Sequence, residues 1–384
     1  SAASDVYKRQ ENVSISDSVD ISVAGGNGTD GTAGSGTDDA GGTGGNGGAA
    51  SFSGTLTVND TGKAVSVKVQ GAKGSNGGDQ TAQSDVITGT GGSGGEAELQ
   101  LTVGSDVQTG ALTLNAEAGN GGNGGSDTAD RAPTSEVTVG NGGAGGNAAA
   151  GIAITDGSLT ATSISLTAKA GSAGYVGSVR KEGKDNHGGD GGTAGTASIK
   201  GLVLSGQQAA VEVANNIVIT GTGGKGGNGG STYGEAGLAA VGGAAEAYGL
   251  VAAGNGTYAV QFADLTLQAT GGNGGSGGNT SIFYNQTTNN SQGDPYMSTD
   301  GADGGNAVGK GLLVESGDVQ LTADNITSTV AGGNGGGAGN NNRANRQDAA
   351  AKVANAGQGG TASATGIAAV SYTHLRAHET RRHL

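Results

Sequence analysis

The chain has 384 residues, 85 of them glycine, no cysteine or tryptophan, and a formal net charge of −14. The missing cysteines exclude a disulfide scaffold, the acidic balance argues against nucleic acid and anionic membranes as partners, and no apolar run approaches the ~20 residues of a membrane-spanning helix. Glycine this frequent without a strict three-residue period excludes collagen and points to low complexity or a repeat fold.

The termini are read first, because processing scars must be set aside before any fold argument. Ser1 to Gln10 read SAASDVYKRQ, the translation of TCG GCA GCG TCA GAT GTG TAT AAG AGA CAG, the end of a transposase library adapter. Val370 to Thr380, VSYTHLRAHET, translate the partner adapter, and Arg381 to Leu384 fall where index sequence follows. The expectation is that residues 1–10 and 370–384 have no tertiary role and that 11–369 is a repetitive region cut at both ends. Five of the 19 basic and two of the 33 acidic residues lie in these ends, leaving 11–369 a net charge of −17. His187 is then the one remaining histidine.

Within 11–369 one alternating segment recurs seven times, each copy running into glycine. The copies begin at Val19, Val65, Leu112, Ile164, Ile217, Leu265 and Ile326, at spacings of 46, 47, 52, 53, 48 and 61 residues. Apolar residues at every second position mark a strand with one buried face. A second strand precedes each of the last six copies, as in AELQLTV ending at Val103 and SIKGLVL ending at Leu204. At Gly201 and Gly249 its inward parity shifts by one residue, which a glycine bulge provides. A third short apolar group lies between, as in VEV at Val211 to Val213. Leu202 to Gly223 therefore reads as three short strands separated by turns at SGQQ and ANN. That is one coil of a right-handed parallel β-solenoid, all-β, in units of 46–61 residues. Ile219 and Leu267 should point inward and stack in neighbouring coils.

Each unit then carries a long polar insertion that opens with a glycine run, such as GNGGNGG at Gly119, and closes with another, such as GGAGGNA at Gly142. Insertion length varies while strand spacing does not, as expected of surface loops on a fixed core. The insertions contain almost no apolar residues, so burial cannot offset the entropy of ordering them. We read them as flexible. The alternative is that the glycine runs pack side by side as extended helices resembling polyproline II, hydrogen-bonded to one another.

Little here can do chemistry. Gly25 to Asp30, GGNGTD, matches the start of a calcium-binding nonapeptide, in which turn carbonyls and a carboxylate supply hard oxygen ligands. Thr32 replaces the large apolar residue that motif requires. Asp300 and Asp303, with Asp294 nearby, form a second calcium candidate in the longest insertion; no other cofactor is indicated. No GxxxxGK[ST] phosphate loop occurs. His187, in KEGKDNHGGDGG, reads as a solvated loop residue, and the carboxylates lie mostly in insertions, so the chain reads as non-catalytic. Phe283 and Tyr284, in SIFYNQ, are candidate ligand platforms, with Tyr248 and Tyr258 as further aromatics.

The phrases SGDVQLTADNITSTVAGGNGG and DGSLTATSISLTAKAG resemble the passenger repeats of Gram-negative autotransporters and related large surface adhesins. The resemblance covers nearly all of 11–369 and carries no diagnostic motif. It implies an extracellular or outer-membrane-surface location and a non-catalytic adhesin whose partner is a glycan or protein on a host or neighbouring cell. It implies no nucleic-acid partner and no membrane insertion by this region. A purely structural stalk, and further off a polysaccharide-degrading β-helix, are the other readings. The GGxGG runs also resemble mycobacterial glycine-rich surface repeats and phage tail-tip adhesins, which have less regular aliphatic strands.

Overall fold

The computed structural model describes residues 8–35, 40–81, 86–127, 137–179, 186–232, 235–282, 298–343, 354–369 and 375–377. Two eight-stranded parallel sheets carry the chain through successive coils. The first holds Lys8–Ile15, Ala50–Leu56, Ala97–Val103, Ala148–Ile154, Ala197–Leu204, Ala245–Ala252, Ala307–Val314 and Ala362–Ala369. The second holds Val19–Ala24, Val65–Gln70, Val107–Glu117, Gly157–Lys169, Gln208–Thr222, Thr257–Thr270, Asp318–Ala331 and Leu375–Ala377. Strands alternate between the sheets in chain order, and each lies beside its counterpart one coil earlier. This is the parallel β-solenoid that the repeat spacing predicts.

The core lies between the two sheets, and its ladders are the repeat positions themselves. Ile21, Val67, Leu114, Leu166, Ile219 and Leu267 are register partners in successive coils. From Val67 to Leu267 all are buried. Across from them Leu101, Ile152, Leu202, Leu250 and Leu312 form the matching ladder. A fully buried aliphatic side chain contributes roughly 1.5–3 kcal/mol, and stacking buries it on coils above and below as well as across the core. The second-sheet ladder passes from Leu267 to Ser328 in the seventh coil, where the alternating pattern of the sequence also weakens to ITSTV.

Gly201 takes φ +62°, and the register of Ala197–Leu204 on Ala148–Ile154 shifts between Ile199 and Gly201. The longer strand absorbs its additional residue there, as the parity shift in the sequence requires. One expectation is corrected. The short group Val211–Val213 and the alternating segment from Ile217 are not separate strands: Gln208–Thr222 is continuous through Ala214, Asn215 and Asn216. Those three residues face outward while Val213 and Ile217 stay buried. The chain steps out of alternation there without leaving its ladder, so this coil gives one strand to each large sheet and has no turn at ANN. Short strands in the insertions, Val86–Ile87 with Val137–Thr138 and Thr280–Ile282 with Asn341–Arg343, pair separately.

At the termini, Lys8 to Gln10 pair with Ala50 to Phe52, and Leu375 to Ala377 with Val319 to Leu321. Such pairing is made by backbone groups, and the edge of a sheet accepts any extended segment.

Candidate binding face on the glycine layers

The described glycine runs are ordered and hydrogen-bonded side by side, which corrects the reading of these runs as flexible in favour of the packed extended helices; the middle parts of the insertions lie outside the described residues. In each coil one run leaves the second-sheet strand and another returns to the first-sheet strand of the next coil. The outgoing runs form one layer and the returning runs another, face to face. Within a run the pattern repeats every three residues, the period of a polyproline II helix.

One triplet, Gly121-Gly122-Asn123, shows the scheme. The Gly121 N–H donates to Ser172 O in the same layer one coil on, at 2.9 Å, and the Gly122 N–H to Gly92 O in the opposing layer, at 2.7 Å. The Asn123 N–H donates to the side-chain oxygen of Asn76, one coil back, at 3.1 Å. Three amides find partners in three directions, so a segment with no apolar core leaves no amide of the triplet unpaired. A Cβ on Gly121 would collide with the Gly143 carbonyl oxygen, and one on Gly122 with that of Ser75. The third position points outward and accepts a side chain of any size, while the first and second are mostly glycine, with short side chains such as Ala72, Ser75, Ala173 and Val176 in some triplets.

The third positions stack into columns along the solenoid. Asp30, Asn76, Asn123, Tyr175, Asn228 and Ser276 form one column on the outgoing face, with hydrogen bonds joining Asp30 to Asn76, Asn76 to Asn123, Asn123 to Tyr175 and Asn228 to Ser276. Neighbouring coils are spaced by ~4.8 Å and successive triplets by roughly 9 Å. At most positions where the outward residue is Asn, Asp or Ser, its side-chain oxygen accepts the backbone N–H of its counterpart in the next coil. Asn120 takes Ser172 N at 2.8 Å, Asn141 takes Asp190 N at 2.7 Å, and Asn273 takes Asn334 N at 2.9 Å. This ladder uses only the oxygen; Asn147 also donates its Nδ2 to Glu96 Oε1, at 3.1 Å, while the Nδ2 groups of Asn76 and Asn123 face outward as donors for a partner.

On this face Asp30, Asn76, Asp79, Asn123, Ser126, Tyr175 and Val176 line a groove of about 440 Å³. Tyr175 is 61% exposed although its column is otherwise small and polar. Aromatic area beside hydrogen-bonding side chains at fixed intervals suits a ligand with both apolar and hydroxyl-rich faces. On the returning face Leu238 and Val241, third positions of successive triplets in the fifth coil, are also exposed.

The residues singled out in the sequence fare differently. Asp30 lies in the groove, and its Oδ1 accepts Asn76 N at 2.9 Å. Asp300 and Asp303 sit on the returning face of the sixth coil and accept Asn355 N and Gln358 N, each at 2.6 Å. Each carboxylate thus serves the backbone ladder, and the two calcium candidates stay apart. Among the described residues no group of three His, Asp or Glu is placed to hold a metal. Phe283, Tyr284 and Asp294 lie outside the described residues. Tyr258 is a core residue, fully buried, its hydroxyl donating to Gly206 O at 3.1 Å, so it offers no platform. Tyr248 is half-buried under Lys310, whose Nζ lies 5.6 Å from the ring centroid. Burial, then the carboxylates of Glu246 and Glu315, raise its phenol pKa above the ordinary value. His187 pairs through Nδ1 with Glu235 Oε2 at 3.1 Å. Tyr175 was missed, yet AGSAGYVGS shows it as the one large side chain in outward register.

Fold and face together define a class: a parallel β-solenoid whose coils each carry a pair of packed glycine helices with an outward residue at every third position. Comparison with protein-family models, curated proteins and solved structures found no match.

Proposed function

We propose that this chain is a non-catalytic, surface-displayed repeat region of adhesin type, from the exterior of a Gram-negative bacterium. It holds glycans on the outgoing glycine face, at the groove beside Tyr175. The observation that carries this reading is the exposed Tyr175 ring in a column of hydrogen-bonding side chains. A sugar ring stacks its C–H face on an aromatic while its hydroxyls take donors such as the Nδ2 groups of Asn76 and Asn123 and acceptors such as Asp79. The ladder supports a second reading, a structural stalk, because the side-chain oxygens of its Asn and Asp residues are already used inside the stack. A glycan array probed with the full chain and with Tyr175→Ala separates the two. Binding lost in the variant, with an unchanged melting temperature, supports the adhesin. No glycan retained by the parent chain, or equal retention by both, overturns it in favour of the stalk.

A further inference from the structure

The glycine layers bring together a pairing that the ladder alone does not explain. Ten Asn residues in the chain are followed directly by glycine. An Asn–Gly pair is chemically labile: the glycine nitrogen, losing its proton, attacks the Asn Cγ and ammonia leaves. The resulting succinimide is opened by water at either carbonyl, giving aspartate or isoaspartate. The reaction needs the side chain and the next amide free to swing towards each other.

At Asn46, Asn76, Asn120, Asn123, Asn141, Asn228 and Asn273 both groups are held by a single residue of the next coil. Asn123 Oδ1 accepts the Tyr175 N–H at 3.0 Å while the Gly124 N–H donates to the Tyr175 carbonyl at 2.8 Å. Ser276 clamps Asn228 and Gly229 in the same way, both contacts at 2.9 Å, and Ser93 clamps Asn46 and Gly47 at 2.9 and 2.8 Å. The attacking nitrogen and the carbon it must reach are pinned side by side on a neighbouring strand of backbone. Among the described residues Asn27, Asn255 and Asn334 have no such clamp. Asn255 is exposed in the turn between Ala245–Ala252 and Thr257–Thr270, and the following Gly256 N–H reaches only the Tyr258 hydroxyl, at 3.3 Å.

We infer that the glycine layers shield seven Asn–Gly pairs from succinimide formation and leave Asn255 in the inter-sheet turn as a site of spontaneous deamidation. The test is incubation of the full chain at mildly alkaline pH, followed by peptide mapping by mass spectrometry, with a parallel sample in denaturing urea. In the folded chain Asn255 should convert, and the seven clamped residues should convert at least about tenfold more slowly, the ratio that a ~1.4 kcal/mol cost of local opening gives. In urea Asn255 and the seven should converge to similar rates. Conversion of clamped residues as fast as Asn255 in the folded chain, or the same spread of rates in urea, overturns the inference.

Discussion

Ile219 in the β-coils and Gly122 in the glycine layers are both interior residues of a regular stack, but different physics holds them. Ile219 is fully buried between Leu166 and Leu267 in its ladder, and removal of apolar surface from water is what it contributes. Gly122 has no side chain to bury. Its contribution is to be small enough for its N–H to reach Gly92 O at 2.7 Å, in a layer where backbone meets backbone. One region is stabilised by what its side chains hide and the other by how completely its amides are paired. An ordered region therefore needs no apolar core if its hydrogen bonds close.

The comparison breaks most visibly at the coil. Ile219→Asp places a charge in the apolar interior and should cost on the order of 5 kcal/mol, read as loss of cooperative unfolding or of soluble protein. Soluble protein with parental stability would mean the inward register is wrong. Next comes the glycine layer, where Gly122→Ala adds one methyl group against the Ser75 carbonyl and should cost about 1–3 kcal/mol. Hydrogen exchange sharpens this: the amides of Gly121, Gly122 and Gly124 should exchange as slowly as those of Ile217–Ile219 in the parent and quickly in the variant. Equally fast exchange of those glycines in the parent would return the runs to flexible loops.

Legibility followed the same divide. The coils announced themselves because Val19, Val65, Leu112 and their successors recur at steady spacing, and alternation reports directly on a buried face. The bulge at Gly201 was legible for the same reason, as a break in parity. The glycine layers were misjudged because apolar content was the criterion, and these runs have none. The signal was present as triplets, GGN-GGS and AGS-AGY-VGS, whose third residues are the outward ones. Reading them required asking where each amide finds its partner rather than where each side chain hides. The continuity of Gln208–Thr222 was hidden because Ala214, Asn215 and Asn216 look like a turn when neighbouring coils are not considered. The calcium candidates failed to come together because Asp30, Asp300 and Asp303 each spend an oxygen on the coil that follows.

Smaller effects should come from the outer face. Asn120→Ala removes the acceptor for the Ser172 N–H, which is near enough to water to be partly compensated, so a loss of about 0.5–1.5 kcal/mol is expected in denaturant unfolding. A neutral result would make the ladder a consequence of the stack rather than a support for it. Smallest of all is the exposed pair Lys63–Asp17, at 2.8 Å. The hydrogen bond from Lys63, then that from the Ser18 amide, lowers the Asp17 pKa below the ordinary carboxylate value. Its contribution is therefore present above the unfolded carboxylate pKa, near 3.9, and is lost as pH falls through the lower folded value. The difference in melting temperature between the parent and Asp17→Asn should be small at neutral pH, vanish in strong acid and shrink with salt. A difference that persists in acid would assign the effect to something other than charge.

The tight fit between the two layers, where glycine predominates, has a genetic consequence. At Gly121 and Gly122 a Cβ would meet a carbonyl oxygen, so a replacement there needs the facing backbone to shift, as it does where neighbouring coils hold Ala173 and Ser75 at the matching positions. The third position of each triplet, by contrast, can hold Asn, Lys, Ser, Tyr or Asp without moving the backbone. A lineage carrying this architecture can rewrite its outer surface one letter in three while the other two stay mostly glycine, and selection for a new partner would leave its record in that reading frame.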